Sequence, residues 1–438
     1  MTDAADHAPV SPAAPNADPQ RVDRLRAGLK KRYARETRFR LYGLLAIGVA
    51  VGFLLLLLGR IIDQGHTAFY SHSVTLPVYM DPARIDRGYP QGTNFELLVA
   101  EQQLARMGEQ DDAQGTKAAA LRTLFSSELK FVAAERVTRQ PGVVGQTITL
   151  AAPMSDDADL YFKGEISKAT PSDQRRLSDQ QIAWLDRMKA DGHVSSHFNS
   201  AIFTRGDSTE PELAGVLGAV IGSALMLLVT ALIAIPLGVG AALYLEEFAP
   251  KNRITDIIEV NINNLAAVPS IIYGLLGLAL FINWMHLPRA SPLVGGLVLA
   301  LMALPTIIIA TRSSLKAVPP SIREAALAMG ASKTQTVFQH TLPLAMPGVM
   351  TGAIISMAHA LGETAPLLLI GMVSFVPGLP HSVVEPAGAL PSLVYIWENA
   401  SERAFHERTA AAILVLLAFM IVMNAAAILL RRRFERRW

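Results

Sequence analysis

Six apolar stretches restrict this chain to the helical membrane class. Five carry no charge, at positions 41–59, 213–245, 260–288, 290–311 and 409–430. A sixth, 345–373, is interrupted only by His359 and Glu363. A helix of ~20 apolar residues spans the ~30 Å hydrocarbon layer. Within that layer the backbone must satisfy its own hydrogen bonds, which a helix does. The competing explanation is a soluble protein with buried helices. Only 17% of the residues are charged, against about 25% in soluble domains, which leaves little polar surface to cover six such helices.

Lysine and arginine orient the spans. The segment 21–40 carries nine basic residues, and Lys251, Arg253, Arg312, Lys316, Arg323 and Lys333 follow on the same side. The C-terminal end adds Arg431, Arg432, Arg433, Arg436 and Arg437. The short opposite loops hold only Arg289, Arg403 and Arg408. The positive-inside bias puts both termini in the cytoplasm. The first stretch has no small-residue cleavage signature and reads as an uncleaved anchor. Val22, Leu25 and Leu29 recur at helical spacing among the tail arginines. That pattern favours a helix lying on anionic lipid over one binding nucleic acid. The chain has no cysteine, which excludes disulfides and thiolate metal sites.

The expected organisation runs in five parts. Residues 1–40 form a cytoplasmic tail, disordered up to about 20 and then basic and amphipathic. The first transmembrane helix occupies 41–62. Residues 63–210 form a polar extracytoplasmic domain of α+β type. Strands are expected at 75–80 and 143–150, and helices at 96–107, 117–137 and 179–188. A core of five spans fills 211–433, and residues 434–438 end the chain in the cytoplasm. Gly218 with Gly222, and Gly274 with Gly277, permit close helix approach. Pro236, Pro269, Pro305 and Pro366 fall inside spans and invite bends, either around a pathway or for packing alone.

One cytoplasmic loop, 313–344, has a form that apolar patterning does not require. Pro319 and Pro320 stop the preceding segment. Ser321 and Glu324 have capping-box spacing, so the serine hydroxyl can accept from the Glu324 amide. Ala325, Ala326 and Ala328 keep one face small. Gly330 is placed to end the helix in a left-handed conformation. Ser332 and Gln335 offer a second capping box, and Leu342-Pro343 is expected to close a second short helix. Two short helices joined at glycine would make a rigid knuckle under the membrane.

The fifth span of the chain carries a charge pair. His359 and Glu363 are four residues apart and share a helix face. A carboxylate in mid-membrane costs ~2.5–3.5 kcal/mol, so it needs a partner or a cavity. Gly362 thins the helix, and Pro366 cannot donate to its carbonyl. That carbonyl and Thr364 are expected to face one polar spot. A pair that only fixes helix packing is the alternative to a pathway or gating role. An exposed carboxylate repels anions, so Glu363 is expected to position a cation rather than to hold an anionic cargo.

The loop resembles the EAA signature of ABC-importer permease subunits: Glu-Ala-Ala, three residues, Gly, nine residues, Ile-x-Leu-Pro. The matches are Glu324, Ala325, Ala326, Gly330, Leu342 and Pro343, with His340 standing where isoleucine is usual. The run Gly362-Glu363-Thr364-Ala365-Pro366 resembles the motif of the PstA-type permease of the phosphate importer. The paired PstC-type permease usually has methionine after the threonine. His359 stands where the family usually has arginine, which puts that charge under pH control, since histidine titrates near ~6.5. The resemblance covers about 211–433, including Pro236-Leu-Gly238.

This resemblance implies a six-helix, all-α polytopic fold of the ABC type I importer permease class, with the extracytoplasmic domain inserted between the first two spans. It implies ATPase coupling through the loop residues. It implies partnership with a PstC-type permease, a PstB-type ATPase dimer and a PstS-type phosphate-binding protein. The chain has no G-x-x-x-x-G-K-[ST], so ATP and Mg are expected on the partner ATPase, with no cofactor, metal or catalytic site here. The resemblance implies no activity for the domain at 63–210. Permeation of another oxyanion, molybdate or sulfate, keeps the same architecture. A membrane sensor or scaffold is the reading from a different class, and it has no need of an ATPase-docking knuckle.

Overall fold

The structure is a computed structural model that describes residues 19–111, 115–373 and 375–434, with side chains described between 32 and 433. The expected disorder before residue 19 and the side chains of Val22, Leu25 and Leu29 lie outside this range. The chain divides into two compact units, Met1–Arg60 and Ile61–Trp438. In the first, helix α1 (Pro19–Gly65) runs unbroken from the basic tail through the first apolar stretch and ends just inside the second unit.

Residues after α1 build a three-stranded antiparallel sheet with helices packed on it. The order along the chain is β1 (Tyr70–Tyr79), α2 (Phe95–Arg106), α3 (Thr116–Arg122), α4 (Glu128–Arg139), β2 (Thr147–Pro153), α5 (Asp156–Lys163), α6 (Asp179–Ala190), β3 (Val194–Phe198) and the single turn α7 (Ala201–Thr204). The sheet order is β2-β1-β3, with Leu76 opposite Leu150 and Val78 opposite Ile148. Alternation makes the sheet one-sided: Val74, Leu76 and Val78 are buried against Phe95, Leu98, Leu129 and Leu185. Pro77 is tolerated in the central strand because β3 pairs only with 70–74. Its carbonyl turns away from β2 towards the Gln103 amide.

Three expectations for this region need correction. The helix expected over 117–137 is two helices, α3 and α4, separated by a turn through Thr123 and Leu124. The strand expected over 143–150 is shifted to Thr147–Pro153, because Pro141–Val143 form a 3-10 turn whose proline sets the first turn position. Helix α5 and strand β3 were not expected at all.

The apolar helices follow. They are α8 (Leu217–Leu243), α9 (Arg253–Ala266), α10 (Ser270–Gly277), α11 (Pro292–Lys316), α12 (Pro320–Ala328), α13 (Lys333–Gln335), α14 (Leu342–Gly362), α15 (Ala365–Leu369), α16 (Leu390–Glu398) and α17 (Ala404–Phe434). Among the described residues, five helices are long and apolar enough to cross a membrane. A sixth span counts only if α9 and α10, bent by 100°, are taken together. The stretch 260–288 is therefore not one straight helix. Pro269 sits at the break and opens α10, and the residue before a proline is biased away from the helical region.

Helices α8 and α11 pack closely along their length. A Cβ at Gly238 would meet the Ile307 side chain at 2.7 Å, and one at Gly296 would meet Val229 at 2.5 Å. Thr230 in α8 donates to the Gly296 carbonyl at 3.2 Å, so a polar group ties the two backbones. Pro236 and Pro305 lie inside these continuous helices, whereas Pro269 and Pro366 stand at helix starts. The Gly218/Gly222 pair packs on the chain's own returning segment, beside the carbonyls of Gly378 and Gly388.

Candidate functional site

The cytoplasmic loop folds as two helical pieces around a left-handed glycine. Helix α12 starts two residues earlier than a Ser321 cap requires. Pro319 is its N-cap, Pro320 is its first residue, and no side chain caps it. The Ser321–Glu324 capping box is therefore absent, and Ser321 is an exposed residue of the first turn. Proline at the first position explains the shift, since its fixed φ suits a helix start and its missing N–H would be unpaired there anyway. Gly330 adopts φ +88°. Its amide closes on the Leu327 carbonyl at 2.9 Å, and Ala331 reaches back to Ala326 at 3.1 Å, a paired C-terminal closure that needs a left-handed residue. The second capping box forms as the spacing predicts. The Gln335 amide donates to Ser332 Oγ at 3.2 Å, and the Ser332 amide donates to Gln335 Oε1 at 2.8 Å.

Leu342 and Pro343 do not close the second short helix. The chain widens into a π turn, Thr336–Thr341, and continues directly into α14. A proline inside a helix loses one donor and crowds the carbonyl four residues back. Widening the turn just before Pro343 relieves both problems. Glu324 and Ala325 are exposed and Ala326 is half-buried, while Leu327 (50%) and Met329 (88%) stand out from the surface. The knuckle thus presents a small-residue face flanked by two apolar side chains.

Sequence reasoning counted the nearby basic residues only for orientation. The structure pairs them. The Arg323 guanidinium donates to Glu247 from Nη2 at 2.7 Å and from Nε at 3.1 Å. The same group donates to the carbonyls of Val318 at 2.7 Å and Leu315 at 2.8 Å, at the end of α11. Arg312 donates to Glu259 at 2.8 Å. Glu246 and Glu247 lie in the π turn Tyr244–Phe248 that ends α8. Lys333 of α13 lies over the Phe248 ring at 5.5 Å. The available signal was an acidic pair ending an uncharged run, with an arginine directly before the Glu-Ala-Ala segment.

At the other site, His359 and Glu363 come together, with His359 Nε2 3.2 Å from Glu363 Oε1. The histidine side chain is 67% exposed and the carboxylate 19%. The span does not continue to 373. Helix α14 ends at Gly362, and Glu363 is extended as its C-cap. Thr364 then caps α15, and Pro366 sits in the first turn of that helix instead of kinking a continuous one. Pro366 instead packs on α10, where a Cβ at Gly274 would lie 2.7 Å from the Pro366 Cα. Gly277 meets Val298 of α11. Gly274 thus seats α10 beside the break that holds Glu363 and Thr364, and Gly277 seats it against α11.

Residues 234–438 match the family model described as a binding-protein-dependent transport system inner membrane component. Residues 26–172 match a domain of unknown function, DUF3333. The "Probable ABC transporter permease protein YqgI" of Bacillus subtilis is 32% identical over 230 residues, covering 49% of this chain and 76% of the relative. The "Phosphate transport system permease protein PstA 1" of Mycobacterium tuberculosis is 32% identical over 232 residues, covering 52% of this chain and 74% of the relative. The "Phosphate transport system permease protein PstA" of Haemophilus influenzae is 30% identical, covering 51% and 78%. The chain belongs to the binding-protein-dependent inner membrane permeases of ABC transporters, and within them to the PstA type.

Proposed function

We propose that this chain is one permease half of an ATP-driven phosphate importer with the type I permease arrangement. The observation that carries the reading is the pairing of a PstA-type core with a knuckle whose Gly330 turn presents Glu324, Ala325 and Ala326 to solvent. A PstB-type ATPase dimer docks on that face and carries the ATP and Mg. A PstC-type permease completes the pathway, and a PstS-type binding protein delivers phosphate from the far side of the bacterial inner membrane. Both termini lie in the cytoplasm, and the sheet domain after α1 lies on the opposite side.

His359 and Glu363 act on the pathway or its gate. Glu363 holds the imidazole at the end of α14, with its Oε1 3.2 Å from His359 Nε2. The exposed face of His359 is turned away from its own chain, towards a partner or the path.

Uptake of labelled phosphate by the reconstituted complex, with molybdate and sulfate as competitors, tests this reading. Only unlabelled phosphate is expected to compete strongly. Competition by molybdate or sulfate instead assigns the permease to that oxyanion. In the same assay His359→Ala and Glu363→Ala are expected to abolish uptake while insertion and assembly persist, and His359→Arg to retain it. Normal uptake by Glu363→Ala refutes a necessary carboxylate.

A further inference from the structure

The knuckle is joined through the chain to α11 before it and α14 after it. Its strongest polar attachment goes elsewhere, to the end of α8. Arg323 stands next to Glu324 and spends its guanidinium on Glu247 and on the carbonyls of Leu315 in α11 and Val318 just after it. Glu247 is 9% exposed, so its carboxylate depends on this partner. Lys333, beyond Gly330, holds the same π turn through Phe248. Beneath both contacts lies a small apolar core of Leu243, Leu315, Val318, Val337, Ala345 and Val349, which joins α8, α11, the knuckle and α14.

We propose that Arg323 is a positioning residue for transport. It clamps the knuckle to Glu247, so that the ATPase stroke reaches α8 together with the two helices joined to the knuckle by the chain. The planar fork is what this needs, since it meets a carboxylate and two carbonyls at once, which a lysine ammonium cannot do with fixed geometry. Once in α8, movement passes to α11 through the close contacts at Gly238 and Gly296. Packed elements of this kind have discrete arrangements and transmit displacement instead of absorbing it.

This inference rests on the importer reading above. Its test is the number of phosphate ions imported per ATP hydrolysed by the reconstituted complex, for the unaltered chain, Arg323→Lys and Glu247→Gln. Co-purification of the ATPase with each variant is measured alongside. Both variants are expected to retain the ATPase and its hydrolysis, while the import-to-hydrolysis ratio falls by about tenfold. An unchanged ratio in both variants overturns the clamp. So does loss of the ATPase on co-purification, which would make Arg323 an assembly residue. Failure of the unaltered complex to import phosphate counts against the importer reading itself, separately from the comparison between variants.

Discussion

Burial and the neighbouring Asp156 carboxylate push the Asp157 carboxyl up to about 6. Its Oδ1 is buried without a hydrogen-bond partner in the first turn of α5. Free aspartate titrates near ~3.9, so between about pH 4 and 6 the folded chain keeps a proton that the unfolded chain has released. The group's contribution to stability is complete below pH 4 and is lost as the pH rises through 6. Asp157→Asn should therefore raise the thermal midpoint of the purified protein at pH 8 and leave it nearly unchanged at pH 4. Equal shifts at both pH values would contradict this account. Single residues differed in how far the sequence revealed them. Gly330 was legible because a left-handed turn after a helix has few other solutions. The Ser321 cap was not, because two prolines upstream moved the helix start by two residues, and local spacing does not say which competing start wins.

At the scale of elements, the contact of α10 with α15 leaves no room for a side chain at Gly274. A Cβ on Gly274 would lie 2.7 Å from a backbone carbon and 3.0 Å from the Pro366 carbonyl oxygen, neither of which can rotate away. Gly274→Ala is expected to destabilise the detergent-solubilised protein by about 1–3 kcal/mol, the usual range for overpacking. Gly240 of α8 has nothing within 4 Å of such a Cβ. Gly240→Ala should be neutral or slightly stabilising, since alanine favours the helix. Similar thermal midpoints for the two variants would show that the contact does not bear on stability. Apolar runs made the long helices legible, because crossing length and absence of charge are properties of composition. The bend between α9 and α10 was hidden, because hydrophobicity continues across it and carries no direction. Pro269 was its only mark. Strand β3 was hidden for the opposite reason: four of its five residues are exposed, so no apolar alternation survives in Val194–Phe198.

At the scale of the whole second unit, the sheet domain is joined to the last long helix by buried charge. Lys163, with a side chain 4% exposed, pairs with Asp159 at 2.8 Å and with Glu407 at 2.6 Å. Thr67 donates to the same Glu407 at 2.9 Å. Ala404 of α17 enters the domain's own core. Such pairs add little net stability, but removing one partner leaves a buried charge uncompensated, at a cost of about 3–5 kcal/mol. They therefore fix where the domain sits on α17. None of this was legible, since nothing in the pattern of charges tells which of them meet across more than two hundred residues. The knuckle was legible because its parts are local.

The account depends most on that knuckle being the place where work from a separate ATPase enters the membrane helices. The direct measurement is accumulation of labelled phosphate in liposomes carrying the complete complex, with the unaltered chain or with Gly330→Pro. Proline cannot adopt the φ of +88° found at Gly330. The account predicts accumulation that requires ATP with the unaltered chain and none with Gly330→Pro. Accumulation without ATP, or at the unaltered rate in Gly330→Pro, would contradict it.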